Sequence, residues 1–139
     1  MRFNWFRRPK TTTAKQELGA RGEEAAAKYL RRHGYKVLVR GFRSRAGEID
    51  IVARHKEWLV FVEVKTRKSE QFGVPSEAVD AKKQRHITKV ALDYLRLLGY
   101  PQVRFRFDIV EVVMCNDAKK PDDIRLYQNA FDLSEPYIY

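Results

Sequence analysis

The run from Gly47 to Arg67 constrains this chain most. It reads Gly-Glu-Ile-Asp-Ile-Val-Ala-Arg, a short polar break, then Trp-Leu-Val-Phe-Val-Glu-Val-Lys-Thr-Arg. Val60, Val62 and Val64 alternate with Phe61, Glu63 and Lys65, and period-two alternation of β-branched residues predicts a strand. Glu63, Lys65 and Arg67 then share a face with Phe61. In the first run Glu48, Asp50 and Val52 share one face, and Ile49 and Ile51 take the other. Both runs carry acids where apolar residues are expected.

The two runs are close enough to form a hairpin, and paired residues on neighbouring strands point to the same face. A four-residue loop from His55 to Trp58 pairs Arg54 with Leu59, which sets Asp50 opposite Glu63 and Glu48 opposite Lys65. A two-residue loop at Lys56-Glu57 gives the same register. A three-residue loop sends Asp50 and Glu63 to opposite faces, since a one-residue slip flips every side chain. The first two loops predict adjacent carboxylates with a lysine two residues on. Like charges that close are unfavourable unless a cation or a shared proton lies between them.

With 139 residues the chain is long enough for one domain with a real core. Its 44% apolar, 33% charged and 12% aromatic content argues against wholesale disorder. A net charge of +10 points to a polyanionic partner, most simply nucleic acid. Cys115 is the single cysteine, which excludes an internal disulfide and multi-cysteine metal sites. His33, His55 and His86 lack paired ligand spacing, so structural zinc is not expected. No apolar run approaches the roughly 20 residues of a membrane span, and the basic N-terminus lacks a secretory apolar core. Cytoplasmic residence is the expectation.

Residues 1–12 read as a flexible basic arm carrying Trp5 and Phe6, and 13–139 as a single domain. Thr13 and Gln16 fit a capping box, and Leu18, Gly22, Ala25, Ala26, Tyr29 and Leu30 form a thin apolar stripe to about Arg32, stopped by Gly34. Glu24 borders that stripe; it either pairs with Lys28 at i+4 or joins the site. Tyr35 to Arg40 predicts a first strand, and Gly41 to Gly47 a basic loop with Arg43 and Arg45. After a polar loop from Lys68 to Pro75, a helix runs from about Ser76 or Asp80 to Leu98. Its apolar face is Ile87, Val90, Ala91, Tyr94, Leu95 and Leu98, with Gly99 closing it. Lys82, Lys83, Arg85 and Lys89 lie on its solvent side and can grip phosphates. Val103 to Cys115 is a strand, with Arg104, Arg106, Asp108 and Val110 on one face. Ile124 to Tyr127 reads as a short final strand. The order predicts an α/β fold, a small mixed sheet flanked by helices.

Asp50, Glu63 and Lys65 are the candidate catalytic residues. Mg²⁺ is commonly held by one or two carboxylates, with waters and phosphate oxygens completing its shell. A bound metal can lower the pKa of a water and offset charge on the attacked phosphate. Lys65 can orient or deprotonate that water, or stay charged and stabilise the transition state. Glu24 can reach in from the first helix. The plainer alternative is an exposed hairpin with Glu–Lys cross-strand pairs, each contributing about 0.2–1 kcal/mol.

The segments Gly22-Glu23-Glu24-Ala25-Ala26, Gly47-Glu48-Ile49-Asp50 and Phe61-Val62-Glu63-Val64-Lys65-Thr66-Arg67 resemble the bacterial YraN family, also called UPF0102. So do Lys82 to Ala91, Arg106-Phe107-Asp108 and Asn129-Ala130-Phe131. More broadly, the chain is similar to the PD-(D/E)xK nuclease superfamily, although Ile49 stands where the superfamily name has proline. The resemblance implies a restriction-endonuclease-like αβββαβ core shared with archaeal Holliday-junction resolvases. It implies a metal-dependent endonuclease acting on DNA, including branched or damaged structures. Mg²⁺ or Mn²⁺ would sit on Asp50, Glu63 and the Val64 carbonyl, with Lys65 catalytic and Glu24 the first-helix acid. Arg43, Arg45, Arg67, Lys82, Lys83 and Arg85 are the candidate nucleic-acid contacts. A resolvase-like action calls for a homodimer, for which the sequence shows no surface. A nucleic-acid-binding protein that kept the fold without turnover is the alternative.

Overall fold

The computed structural model describes residues 13–68, 79–114 and 120–133. Residues 1–12, expected to be an arm, lie outside the described residues, as does most of the expected loop from Lys68 to Pro75. The elements run α1 (Ala14–Arg32), β1 (Tyr35–Ser44), β2 (Gly47–His55), β3 (Trp58–Arg67), α2 (Ala81–Leu97), β4 (Arg104–Val113) and β5 (Asp123–Phe131). The five strands form one sheet in chain order. β3 and β4 are parallel and joined across α2; the other neighbours are antiparallel. The fold is α/β, and its order is compatible with a restriction-endonuclease-like core, with β5 added at the edge.

Local chemistry explains the helix starts. Thr13 Oγ1 accepts the Gln16 N–H at 3.1 Å while the Gln16 side chain accepts the Thr13 N–H at 3.0 Å, closing the expected capping box. Asp80 caps α2 by accepting the Lys83 N–H at 2.8 Å. This anchors the first turn of α2 beside the end of β3. The expected apolar face of α2 buries Ile87, Val90, Ala91 and Leu95, whereas Leu98 falls at the C-cap and stays 51% exposed.

The two helices cover opposite faces of the sheet. Leu18, Ala26, Ala27 and Leu30 of α1 pack with Ile51, Val60, Val62 and Val110. Ile87, Val90, Ala91 and Leu95 of α2 pack with Val52, Leu59, Phe61, Phe107 and Ile109. Close approach of α1 depends on Gly22. A Cβ there would overlap the Thr66 hydroxyl and lie 2.9 Å from both Thr66 side-chain carbons. Gly22→Ala is therefore expected to destabilise the fold by about 1–3 kcal/mol, although alanine is the better helix former by roughly 1 kcal/mol. A urea midpoint equal to or above the parent's would show that the helix can withdraw from β3.

Three local expectations change. The basic stretch after Arg40 is no loop: β1 continues to Ser44, and Arg45-Ala46 alone turn the chain into β2. Gly41 makes this possible by taking a left-handed backbone (φ 66°) inside the strand, opposite Asp50. Ile49 and Ile51, expected on one face, enter opposite layers: Ile49 packs with α2 and Ile51 with α1. The final strand covers nine residues rather than four. Its register with β4 shifts between Phe107 and Ile109, and Asn129 is left-handed (φ 51°) at that bulge.

Candidate active site

The β2–β3 hairpin has the expected register. Arg54 pairs with Leu59 and His55 with Trp58, around the two-residue turn Lys56-Glu57. Lys56 takes φ 55°, as a tight hairpin turn requires. The ladder ends at Ile51–Val62, one step before Asp50 would meet Glu63. There the Asp50 carboxylate replaces the backbone partner: its Oδ2 accepts the Val64 N–H at 2.8 Å. The strands part at this fork, which also turns Ile49 toward α2.

Glu63 points to the α2 face and is 9% exposed. Lys83 Nζ approaches its Oε1 at 3.4 Å, while Oε2 is buried without a hydrogen-bond partner among the described residues. Burial, and then the Asp50 charge, push the Glu63 carboxyl up to about 8. Asp50 is also raised, chiefly by burial, against the lowering effect of the Val64 N–H. At neutral pH the pair therefore retains a proton that two exposed carboxylates would have released.

Lys65 lies two residues beyond Glu63 on the same strand and is exposed. Beside it in register stands Glu111 of β4, fully buried, with neither carboxylate oxygen hydrogen-bonded among the described residues. Arg67 Nε reaches Glu111 Oε2 at 3.2 Å. Arg67, a candidate nucleic-acid contact, is thus held mostly inside the protein with a buried carboxylate. Sequence reasoning missed Glu111. The signal was present: an acid within the apolar run Ile109-Val110-Glu111-Val112-Val113, the same anomaly that marks Asp50 and Glu63.

The other candidates separate. Glu24 turns to Arg40 (2.6 Å), whose Nε also meets Glu23 at 3.4 Å. It is Glu23, one residue earlier, whose charge raises Asp50. The sequence reading singled out Glu24 alone, although Glu23 also lies beside the stripe, next to Gly22. Arg43 pairs with Glu48 at 2.7 Å and remains largely exposed, as does Arg45. Lys82 and Arg85 are exposed on α2, while Lys83 joins the acid pair.

On the opposite face sequence reasoning also missed a polar cluster. Asp108, fully buried, accepts from Tyr35 Oη at 2.8 Å, from Arg106 at 3.0 and 3.2 Å, and from the Asn129 N–H at 2.9 Å. Arg106 also donates to Tyr35 Oη at 2.9 Å and meets His55 Nδ1 at 3.0 Å. A guanidinium can only donate, so the His55 Nδ1 accepts and its ring is neutral. Burial and the Arg106 charge lower the His55 pKa accordingly. Asp108 closes the β5 bulge; this cluster holds the sheet rather than facing the acid pair.

Among the described residues no three His, Cys, Asp or Glu side chains gather so as to hold a metal by themselves. The donor set is two carboxylates, one with an orphaned buried oxygen and a raised pKa. That fits a hard cation such as Mg²⁺, which uses one or two carboxylates and fills its shell with water and substrate oxygens. No helix among the described residues is long and apolar enough to cross a membrane.

A mixed sheet between two helices, with paired acids at a strand fork and a lysine beyond them, defines an α/β protein compatible with the restriction-endonuclease-like class. Comparison with known proteins makes this more specific. Residues 22–112 match the profile of the uncharacterised protein family UPF0102, and the chain belongs to that family. The UPF0102 protein of Caldicellulosiruptor saccharolyticus is 47% identical over 117 residues, covering 84% of this chain and 98% of that one. That of Geobacter sulfurreducens is 48% identical over 118 residues, covering 84% and 90%.

Proposed function

We propose that this protein is a metal-dependent endonuclease that hydrolyses phosphodiester bonds in DNA, with Asp50, Glu63 and Lys65 as its working residues. The observation that carries the reading is the buried Asp50–Glu63 pair at the strand fork, where one Glu63 oxygen lacks a hydrogen-bond partner among the described residues and burial pushes both carboxyls up. Structural carboxylates are rarely left this way, and perturbed acids cluster at functional sites.

Asp50, Glu63 and the Val64 carbonyl would hold Mg²⁺ or Mn²⁺. When bound, the ion supplies a water of lowered pKa and offsets phosphate charge. Lys65 stands on the exposed side of the pair, where its ammonium can meet a phosphate oxygen or position the attacking water. Lys83 can turn from Glu63 to a substrate phosphate once a cation takes its place. Glu23, rather than Glu24, is the first-helix acid that favours positive charge at Asp50. Branched or damaged DNA is the proposed substrate structure.

Purified protein with Mn²⁺ or Mg²⁺ is expected to nick labelled DNA. Asp50→Ala and Lys65→Ala variants of unchanged melting temperature should lose at least 100-fold in rate, the scale of a single positioned catalytic group. Absence of cutting on linear, branched and single-stranded DNA with either metal sinks the proposal. The second reading, binding without turnover, is favoured by Lys83, whose Nζ lies 3.4 Å from Glu63 Oε1, where a bound metal would have to displace it. It calls for salt-dependent binding that survives Asp50→Ala without any cleavage by the parent.

A further inference from the structure

A cleft of about 830 Å³ lies between the β1–β2 turn and the outer side of α2. Its walls are cationic: Arg43 and Arg45 from the turn, and Lys89 and Arg96 from the helix, with His86 beside them and Asp93 as the one acid among the described lining residues. Its apolar lining is Phe42 and Ala46 on one side and Leu92 on the other, with the exposed Leu97 at its edge. The Phe42 and Tyr94 rings stand nearly perpendicular (88°), centroids 5.0 Å apart. None of this follows from the acid pair, and of the helix half of the cleft only Lys89 was among the residues expected to grip phosphates.

We infer that this cleft binds an unpaired stretch of nucleic acid, taking phosphates on its rims and a base against Phe42. The inference rests on the nucleic-acid reading of the acid pair and specifies which form of substrate is presented to it. Three observations carry it. The first is charge: the cation excess selects an anion, and the ion pairs Arg43–Glu48 and Arg96–Asp93 are exposed. Such pairs contribute little, about 0–1 kcal/mol, so their guanidiniums can exchange a carboxylate for a phosphate. The second is shape. An aromatic lining between cationic rims is what single strands need, because an unstacked base offers its face while its backbone tracks the charges. A cavity of 830 Å³ has the size of a small-molecule pocket, which suits one or two nucleotides rather than a duplex. The third is position. His86 follows Lys83 by one turn of α2, roughly 5 Å along the axis, and Lys83 meets Glu63 at 3.4 Å. A strand in the cleft therefore leads directly to the acid pair, as a flap or the unpaired arm of a branched structure would.

The test uses the full chain, a fluorescein-labelled 15-nucleotide oligothymidylate, and a blunt duplex of the same length at equal salt. The parent is expected to bind the single strand at least tenfold more tightly than the duplex. Arg45→Glu with Arg96→Glu should weaken single-strand binding at least tenfold and flatten its salt dependence, with an unchanged melting temperature. Arg45→Gln with Arg96→Gln provides a milder pair should charge reversal disturb folding; it should weaken binding by about threefold or more. Equal or tighter duplex binding by the parent, or variant binding within twofold of the parent, overturns the inference. Cleavage is scored separately. The expected binding pattern without cleavage supports the cleft and removes the nuclease reading. Cleavage with variant binding unchanged keeps the nuclease and removes the cleft.

Discussion

Glu63→Gln is expected to melt higher than the parent at pH 8.5 by roughly 5–10 °C, and to have lost cleavage. The reasoning starts from the raised carboxyl. In the folded chain Glu63 holds its proton up to about 8, whereas in the unfolded chain it releases it near the ordinary 4.5. Between those values the native state binds the extra proton, so stability falls as pH rises through the window and levels off above it. The displacement corresponds to on the order of 4 kcal/mol over the whole window. Glutamine matches the protonated side chain in shape and cannot ionise. Parent and variant should therefore melt alike near pH 4.5, diverge progressively as the pH rises to about 8, and stay a constant distance apart above that. Adding Mg²⁺ or Mn²⁺ at pH 8.5 should restore the parent and leave the variant unmoved, since binding to the native state stabilises it by mass action. Thermal melts from pH 4.5 to 9, with and without metal and chelator, decide the matter. A parent whose stability rises from pH 5 to 8 contradicts the buried-pair electrostatics.

The largest structural loss is expected at Asp108, away from the acid pair. Asp108→Ala strips the buried Arg106 guanidinium of its carboxylate at 3.0 Å and orphans the Asn129 N–H. Removing one partner of a buried ion pair costs about 3–5 kcal/mol, because the other charge stays desolvated. Tyr35 keeps its bonds to Gln128 and Arg106, so the damage should concentrate on the β4–β5 bulge. A urea midpoint shift of that size is expected, with hydrogen exchange increasing first in β5. Double replacement of Arg106 and Asp108 by apolar residues of similar volume should recover much of the loss. A single-variant loss below 1 kcal/mol would show that the cluster is already wet.

The hairpin was legible because its information is local. Period-two alternation and an even-numbered turn admit one register, and that register is present from Ile51–Val62 to His55–Trp58. The cap at Thr13 was legible for the same reason, a side chain meeting a backbone N–H three residues on, whereas the start of α2 stayed open between Ser76 and Asp80 until the structure placed the cap at Asp80. Glu111 was not. Its neighbour Lys65 is set by the parallel β3–β4 register, and a parallel register is imposed by the packing of the crossover, not by a turn. Gly41 read as a loop residue because its left-handed backbone breaks the strand pattern that tertiary pairing then restores.

By itself, then, the run from Gly47 to Arg67 determined that an even-numbered turn would bring Asp50 and Glu63 together, since strand periodicity fixes the faces once the turn length is set. Only the tertiary structure decided what surrounds them. It sent Glu24 to Arg40, brought Lys83 to Glu63, hid Arg67 against Glu111 and opened a basic cleft along α2. Those outcomes depend on helix placement and on which charges lose water together. Such terms act between residues distant in the chain, where sequence spacing carries no geometry.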